Sequence, residues 1–329
     1  MRVLVTGGTG FTGSHLVRRL LQNGDHVHVL DYNKGLFFDE LQNLGAKIQL
    51  GSIADRTVCR EALDEAQPEV VYHLAAAFRE INVPKSHYWA VNVDGTRHLV
   101  ESAQKDGVRK FVYCSTQGVH GDVKNPPGNE DSPIAPEDYY QYTKYEGEKV
   151  VNEIVAGTGF DATTVRPTAI YGPGDPARFL MLFKRCKTGS FPMFGDGQCT
   201  YHPLYIDNLV DCFLLAAEKG KKGEAYLSAD AHYYTIEELV KRIGRAMGIE
   251  VKIRHYPFAP LWAAAVICEG VCAVFRISPP LFRRRVEWFR QVRAFTIDKA
   301  RRDLGYEPKV GIDEGLERTA KWYRDNRYI

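Results

Sequence analysis

Val3-Leu4-Val5-Thr6-Gly7-Gly8-Thr9-Gly10-Phe11-Thr12-Gly13 decides the fold of this chain. An apolar, β-branched run meets a glycine loop, and the loop opens an amphipathic pattern that continues to Gln22. Gly7 permits a tight turn. Gly10 lets the backbone approach a pyrophosphate, and Gly13 lets the helix pack close to the strand. The helix N-terminus then offers free amides and the positive end of its dipole to phosphates. The next strand-like run, Val27-His28-Val29-Leu30-Asp31, ends in a carboxylate 18 residues beyond Gly13. A carboxylate there accepts both hydroxyls of an adenosine ribose and repels a 2′-phosphate, so the expected cofactor is NAD rather than NADP. Lys34 stands close enough to soften that discrimination.

Outward from this loop, short apolar runs at 3–6, 26–30, 47–51, 70–74, 110–115 and 163–167 alternate with helical patterns at 13–22, 56–66, 92–105 and 140–156. That alternation predicts an α/β fold, a Rossmann-type doubly wound parallel sheet with helices on both faces. After Pro173 glycine, proline and aromatic residues become frequent and the alternation loosens. A dinucleotide-binding domain is therefore expected over 1–172, with about 200–228 returning to it. A smaller mixed α/β substrate domain is expected over most of 173–329. Further helices are expected at 208–218, 236–247 and 314–326, the last docking back onto the body through Trp322 and Tyr323.

Composition narrows the function. A chain of 329 residues suits about two domains. At 44% hydrophobic and 26% charged it is too apolar to be disordered. Lys plus Arg is 43 against 41 for Asp plus Glu, a balance that argues against a nucleic-acid partner. Met1 runs directly into the glycine loop with no signal-peptide pattern, so a cytoplasmic location is expected. The seven cysteines are odd in number, scattered and without a CxxC, which reads as reduced thiols and no metal site. Cys268 and Cys272, one helical turn apart on an apolar stretch, read as core.

The spacing Thr-Gly-x-x-Gly-x-x-Gly at 6–13 resembles that of the extended short-chain dehydrogenases/reductases, in the NAD-dependent epimerase/dehydratase group. The resemblance continues along nearly the whole chain. Gly51-Ser52-Ile53 resembles the family's adenine contact, with Ser52 in place of the usual Asp. His73-Leu74-Ala75-Ala76 resembles the loop that lies against the cofactor, and Asn92-Val93-Asp94-Gly95-Thr96 resembles the family's helix start. The resemblance implies NAD contacts from Gly7, Gly10, Phe11, Thr12, Gly13, Asp31, Ser52, Ile53, Leu74, Ala75, Ala76, Asn92, Ser115, Tyr140, Lys144, Pro167, Thr168 and Ile170.

Tyr140-Gln141-Tyr142-Thr143-Lys144 sets a phenol and an ammonium at i and i+4, on one helix face. A secondary alcohol gives up hydride only if its proton leaves too. A free tyrosine, with a pKa of about 10, is a poor base at neutral pH. A fixed cation nearby favours the phenolate, and at ~4–5 Å the interaction is worth a few kcal/mol. Tyr139 and Tyr142 lack a lysine four residues on, so Tyr140 is the expected base. Thr116 falls at the family's catalytic hydroxyl, with Ser115 as the fallback. Sugar 4,6-dehydratases of this type carry an Asp-Glu pair next, where this chain has Gln117 and Gly118. Neither residue can do acid/base work, so dehydration is not expected. The decarboxylases' glutamate is also missing, and His120 stands where the family usually has Tyr.

Arg166-Pro167-Thr168-Ala169-Ile170-Tyr171-Gly172-Pro173-Gly174 resembles the segment that flanks the nicotinamide. Nucleotide-sugar enzymes place an arginine for the diphosphate near 200–201. This chain has Thr200-Tyr201 there, with Arg178, Lys184, Arg185 and Arg276 as conceivable substitutes. Phe78, Gln117, His120, Arg178 and His202 are candidate substrate contacts. The stretch 256–285 is apolar, then arginine-rich through Arg283, Arg284 and Arg285. It is expected to be a buried or lid helix, with peripheral contact to an anionic membrane as the alternative. The C-terminal part resembles 3β-hydroxysteroid and sterol dehydrogenases. A nucleotide-sugar epimerase is the leading expectation and a 3β-hydroxysteroid- or sterol-type dehydrogenase of an apolar alcohol the alternative. A non-catalytic NAD-binding regulator is the remote third. The resemblance also implies a homodimer through 92–105 and 140–156.

Overall fold

The computed structural model describes all residues except 79–82, 177, 276, 278 and 282, and the side chains of all but these and 178, 273, 274, 284 and 285. The strands are β1 (Arg2–Thr6), β2 (His26–Asp31), β3 (Lys47–Leu50), β4 (Val70–His73), β5 (Lys110–Cys114), β6 (Ala162–Pro167), β7 (Ala169–Tyr171), β8 (Ser190–Phe194), β9 (Thr200–Tyr201), β10 (Pro203–Tyr205), β11 (Ala225–Ser228), β12 (Tyr234–Thr235) and β13 (Lys252–Tyr256). The helices are α1 (Phe11–Gln22), α2 (Phe38–Asn43), α3 (Arg56–Ala66), α4 (Lys85–Trp89), α5 (Gly95–Lys105), α6 (Tyr139–Thr158), α7 (Arg178–Lys187), α8 (Ile206–Lys219), α9 (Ile236–Met247), α10 (Phe258–Phe275), α11 (Arg283–Glu287), α12 (Asp298–Leu304) and α13 (Ile312–Asp325).

Seven strands form one parallel sheet in the order β11-β6-β5-β4-β1-β2-β3. The chain winds outward from β1 to β3, then returns to pair β4 with β1 and winds the other way. The strand order therefore switches between β1 and β4, and a crevice opens beyond their C-terminal ends, which is where such sheets bind ligands. Alternate residues of each strand feed two cores. Val3, Val5, Val70, Tyr72 and Val112 point into one, with Leu16 and Leu20 of α1 and Leu209 and Phe213 of α8. Leu4, Val71, Phe111 and Tyr113 point into the other, with Leu63 of α3, Leu99 of α5 and Val150 of α6. Burial on both faces explains why these strands read as unbroken apolar runs. The first core also takes in Phe183, Ile243, Leu304, Leu316 and Tyr323, so the C-terminal elements pack onto the sheet's α1/α8 face.

Three sequence expectations are revised. The helix expected to begin at Asn92 starts earlier, as α4, and passes through a wide π-helical turn at Ala90–Asp94 into α5. The helix expected around Tyr140 begins at Tyr139, because the Asp138 carboxylate accepts from the Gln141 amide at 2.8 Å and caps it, and it ends at Gly159 with φ +73°. The apolar stretch expected to be a buried or lid helix forms α10, which is largely exposed, so it is not a core helix. Ile267 is 65% and Phe275 69% accessible, with Trp262 and Val271 also open to solvent. Apolarity marked this segment for removal from water without saying what would cover it. Among the described residues, no helix is long and apolar enough to cross a membrane.

Candidate active site

The glycine loop lies at the switch point between β1 and β4. Gly7 has φ +71°, and a Cβ there would stand 2.8 Å from the Ala75 amide nitrogen, so the loop presses on the segment that follows β4. A Cβ on Gly13 would lie 2.1 Å from the Gly7 carbonyl oxygen. Gly10 precedes α1 and supplies no side-chain cap, so the first turn of α1 presents its amides at the crevice. Phe11 and Thr12 open that turn, half-buried. An uncapped helix start beneath a cradle that side chains would fill suits a pyrophosphate. Asp31 closes the far side. One of its carboxylate oxygens accepts from both the amide and the hydroxyl of Thr9 at 2.8 Å, which fixes the group to the loop.

Beyond β4 a buried network sets the backbone. The Thr6 hydroxyl meets His73 Nδ1 at 2.7 Å and accepts from the Ala75 amide at 3.2 Å, while His73 Nε2 meets Thr96 Oγ1 at 2.9 Å. Thr96 already donates to the Asn92 carbonyl, so His73 donates from Nε2 and accepts at Nδ1, a neutral ring. Burial, and the charge of Lys144 beside it, hold its pKa well below the usual histidine value. Leu74, Ala75 and Ala76 follow, half-buried along the crevice. Ser52 is half-buried and spends its hydroxyl on the Ala54 amide, and Ile53 is buried against Gly95. Asn92 departs from expectation. It is fully buried, and its amide group bridges Ala77 and Thr143 at 2.8–3.2 Å. It braces the post-β4 loop against α6 instead of opening onto the crevice.

The turn after β5 meets the first turn of α6. Thr116 is extended and half-buried, and its hydroxyl accepts from the Gly118 amide at 3.1 Å. A Cβ on Gly118 would lie 2.9 Å from the Gln141 side chain, so this turn lies directly against the helix that carries Tyr140 and Lys144. Tyr140 is half-buried with its ring 4.7 Å from that of Phe78, and it walls a pocket with Val83, Tyr88 and Tyr139. Lys144 is 1% exposed, with its ammonium 4.2 Å over the Tyr113 ring. Burial lowers its pKa to about 8, opposed by Cys114 and Glu148. Ser115 Oγ and Thr168 Oγ1 are buried and find no partner among the described residues. Buried hydroxyls left open beside this turn and at the end of β6 suit a bound polar group such as a nicotinamide ribose or carboxamide. Pro167 closes β6 and Ile170 lies in β7, flanking Thr168.

Several candidate substrate contacts are internal. His120 is buried, with Nδ1 3.0 Å from the Ser132 carbonyl and Nε2 3.1 Å from Arg166. Arg166 in turn forms a bidentate buried ion pair with Glu148 at 2.6 and 3.0 Å. His120 is thus part of the brace between β6 and α6, and burial lowers its pKa. His202 spends both nitrogens, on the Asp230 carbonyl at 2.9 Å and the Phe295 amide at 3.3 Å. Burial lowers its pKa to about 4, so it offers a neutral wall and no acid or base. The side chains of Arg178 and Arg276 lie outside the described residues. Gln117 and His202 line a small cavity with Thr168, Tyr201 and Phe295, and the sequence reading missed its charged member, Arg293. Its backbone amide donates to the Thr200 carbonyl at 3.0 Å, which brings an arginine to the place where the local sequence has none. No local signal marks a residue that arrives from 93 positions away.

The NAD dependent epimerase/dehydratase family matches this chain over residues 3–228. A 2-alkyl-3-oxoalkanoate reductase from Stenotrophomonas maltophilia is 31% identical, covering 97% of this chain and 98% of that protein. A human sterol-4-alpha-carboxylate 3-dehydrogenase, decarboxylating, is 29% identical over 100% of this chain and 90% of that one. Among solved structures, UDP-glucose 4-epimerase from Thermotoga maritima, with UDP-glucose, superposes with a TM-score of 0.81 at 29% identity, covering 99% and 100% of the two chains. The chain belongs to the NAD-dependent epimerase/dehydratase family and is an NAD-dependent oxidoreductase of the extended short-chain dehydrogenase/reductase type.

Proposed function

We propose that the chain interconverts a secondary alcohol and its ketone on a molecule with a large apolar body, exchanging NAD with solution at each turnover. The carrying observation is the setting of Tyr140, in a pocket walled mainly by Phe78, Val83, Tyr88 and Tyr139, with Lys85 and Asp138 as its charged members. Apolar and aromatic walls with a few placed polar groups suit an apolar alcohol. The exposed apolar α10 supports the same reading. Arg290 stacks on its Phe258 at 4.8 Å, and Trp288 of the same segment packs on Tyr201 in the wall of the second cavity. The reductase and sterol dehydrogenase named above act on compounds with alkyl or sterol bodies.

NAD supplies the hydride acceptor or, reduced, the donor. In this reading Thr116 donates a hydrogen bond to the substrate oxygen and fixes its direction. Tyr140 Oη removes the alcohol proton, and the Lys144 ammonium favours the phenolate that does so. A cation at ~4–5 Å with an effective dielectric of about 20 supplies a few kcal/mol, enough to bring a phenol into a useful range. Gly7, Gly10, Phe11, Thr12 and Gly13 would hold the pyrophosphate, Asp31 the adenosine ribose, Ser52 and Ile53 the adenine edge, and Ser115, Pro167, Thr168 and Ile170 the nicotinamide end. Gln117 and Gly118 leave no acid/base pair for dehydration.

A second reading, nucleotide-sugar epimerisation, is favoured by one observation, the arrival of Arg293 beside Thr200. The two readings differ in how the cofactor is kept. Gel-filtered protein is expected to release no nucleotide on acid treatment and to bind added NAD reversibly. One NAD per chain, retained through purification, would favour the epimerase.

A further inference from the structure

Thr9 is buried in the glycine loop and ties that loop to the end of β2. Its amide and its hydroxyl both donate to one Asp31 oxygen, Oδ2, at 2.8 Å. The same hydroxyl lies 2.8 Å from the Asn33 carbonyl oxygen and accepts from the Gly35 amide at 3.1 Å. A threonine hydroxyl has one proton and two lone pairs, so Asp31 and the Asn33 carbonyl share that proton. The backbones also meet, since a Cβ on Gly35 would stand 1.8 Å from the Thr9 carbonyl oxygen. The 32–35 segment is therefore fastened to the glycine loop at Asn33 and at Gly35. The other Asp31 oxygen, Oδ1, has the Asn33 amide at 3.4 Å, beyond the usual range of such a bond, and so keeps room for a stronger donor. Two cations of this neighbourhood are engaged elsewhere. The Lys34 ammonium stands 4.8 Å over the Phe38 ring, and Arg18 is bidentate to Glu40 at 2.6 and 3.1 Å.

We propose that Thr9 is a specificity-determining residue, the positioning group through which this chain selects NAD against NADP. This rests on the reading of Asp31 as the holder of the adenosine ribose. Asp31 discriminates only while its charge stays where a 2′-phosphate would have to lie. A carboxylate free to turn could swing aside, and a loop free to shift could bring Lys34 onto the phosphate. Thr9 prevents both. Its two bonds to Oδ2 stop the carboxylate from turning and leave Oδ1 for the ribose hydroxyls. Its contacts with Asn33 and Gly35 hold the segment that carries Lys34. The hydroxyl is the part of Thr9 that a side-chain change can remove, because the amide bond to Asp31 belongs to the backbone.

The test is a fluorescence titration of the full-length protein with NADH and with NADPH, using wild type, T9A, T9S and D31N, each checked by its Tm. Wild type should bind NADH at least about 30-fold more tightly than NADPH. Loss of one hydrogen bond to a carboxylate should cut that ratio about 10-fold in T9A, through weaker NADH and stronger NADPH binding. T9S restores the hydroxyl and should keep the ratio within about 3-fold of wild type. D31N should abolish most of the preference, and adding T9A to D31N should change it little, because the two act as one unit. If T9A does not fold, T9V removes the same hydroxyl while filling its place and is read in the same way. A merely structural role for Thr9 would weaken both nucleotides equally. That result, or an unchanged ratio in T9A, overturns the proposal, and the Asp31 reading then stands by itself if D31N has lost the preference. Equal binding of NADH and NADPH by wild type, or a wild-type ratio in D31N, overturns the Asp31 reading and the proposal with it.

Discussion

Tyr140→Phe is expected to lower kcat about 1,000-fold while NAD affinity and Tm stay near those of the wild type. The variant removes one oxygen and keeps the ring, so the packing on Phe78 at 4.7 Å survives. What it removes is the group that takes the alcohol proton, and positioned acid–base groups contribute roughly 100- to 10,000-fold. Lys144 cannot take over. It is buried over the Tyr113 ring, and at a pKa of about 8 it is mostly protonated at neutral pH and has no lone pair to offer. Pre-steady-state NADH formation and a fluorescence titration of NAD measure the two halves of the expectation. Unimpaired turnover in Tyr140→Phe would remove Tyr140 from the chemistry. Unimpaired biological activity with no measurable turnover in either protein would favour a non-catalytic NAD-binding regulator.

Gly13→Ala is expected to weaken NAD binding at least about 100-fold and to destabilise the fold. Its methyl group would lie 2.1 Å from the Gly7 carbonyl oxygen and 2.7 Å from Gly8 Cα, both backbone atoms. Neither can rotate away, because Gly7 donates to the Leu30 carbonyl at 2.8 Å and has φ +71°. Helix α1 must then move off the sheet, which withdraws its amides from the crevice. Overpacking of this kind costs roughly 1–3 kcal/mol. Gly10→Ala is the internal comparison. Its methyl group would meet only the Gly7 oxygen, at 3.3 Å, so its Tm should fall less. A Gly13→Ala protein that binds NAD like the wild type would separate the glycine loop from cofactor binding.

The parts legible in the sequence are those whose physics is local. Strands β1, β2, β4, β5 and β6 read as apolar runs because both faces of a parallel sheet are buried there, whereas β3 at the edge is partly exposed, and the expected boundaries of β1 to β6 lie within a residue of the observed ones. The glycine loop was legible because a turn, a close approach and a helix start each demand glycine within eight residues. Helical spacing placed Tyr140 and Lys144 on one face of a helix, and both lie on α6. Other features depend on what the fold brings near. His120 reads as a pocket residue until Arg166 and Ser132 occupy its two nitrogens. Asn92 reads as a cofactor contact until Ala77 and Thr143 use its amide. Arg293 is invisible as part of a site until the segment after α11 crosses beside β9. α10 shows the limit of hydropathy, since an apolar helix can be covered by the same chain, by another or by lipid.

The measurement that tests the account most directly is the fate of the hydride. Purified protein is mixed with an apolar secondary alcohol and a large molar excess of NAD, and NADH absorbance is followed over many equivalents of enzyme. The account predicts NADH accumulating well beyond one equivalent per chain, with the ketone as product, and no such signal in Tyr140→Phe. It is contradicted if apolar alcohols give no NADH while a UDP-sugar is converted to its epimer with no net change in absorbance.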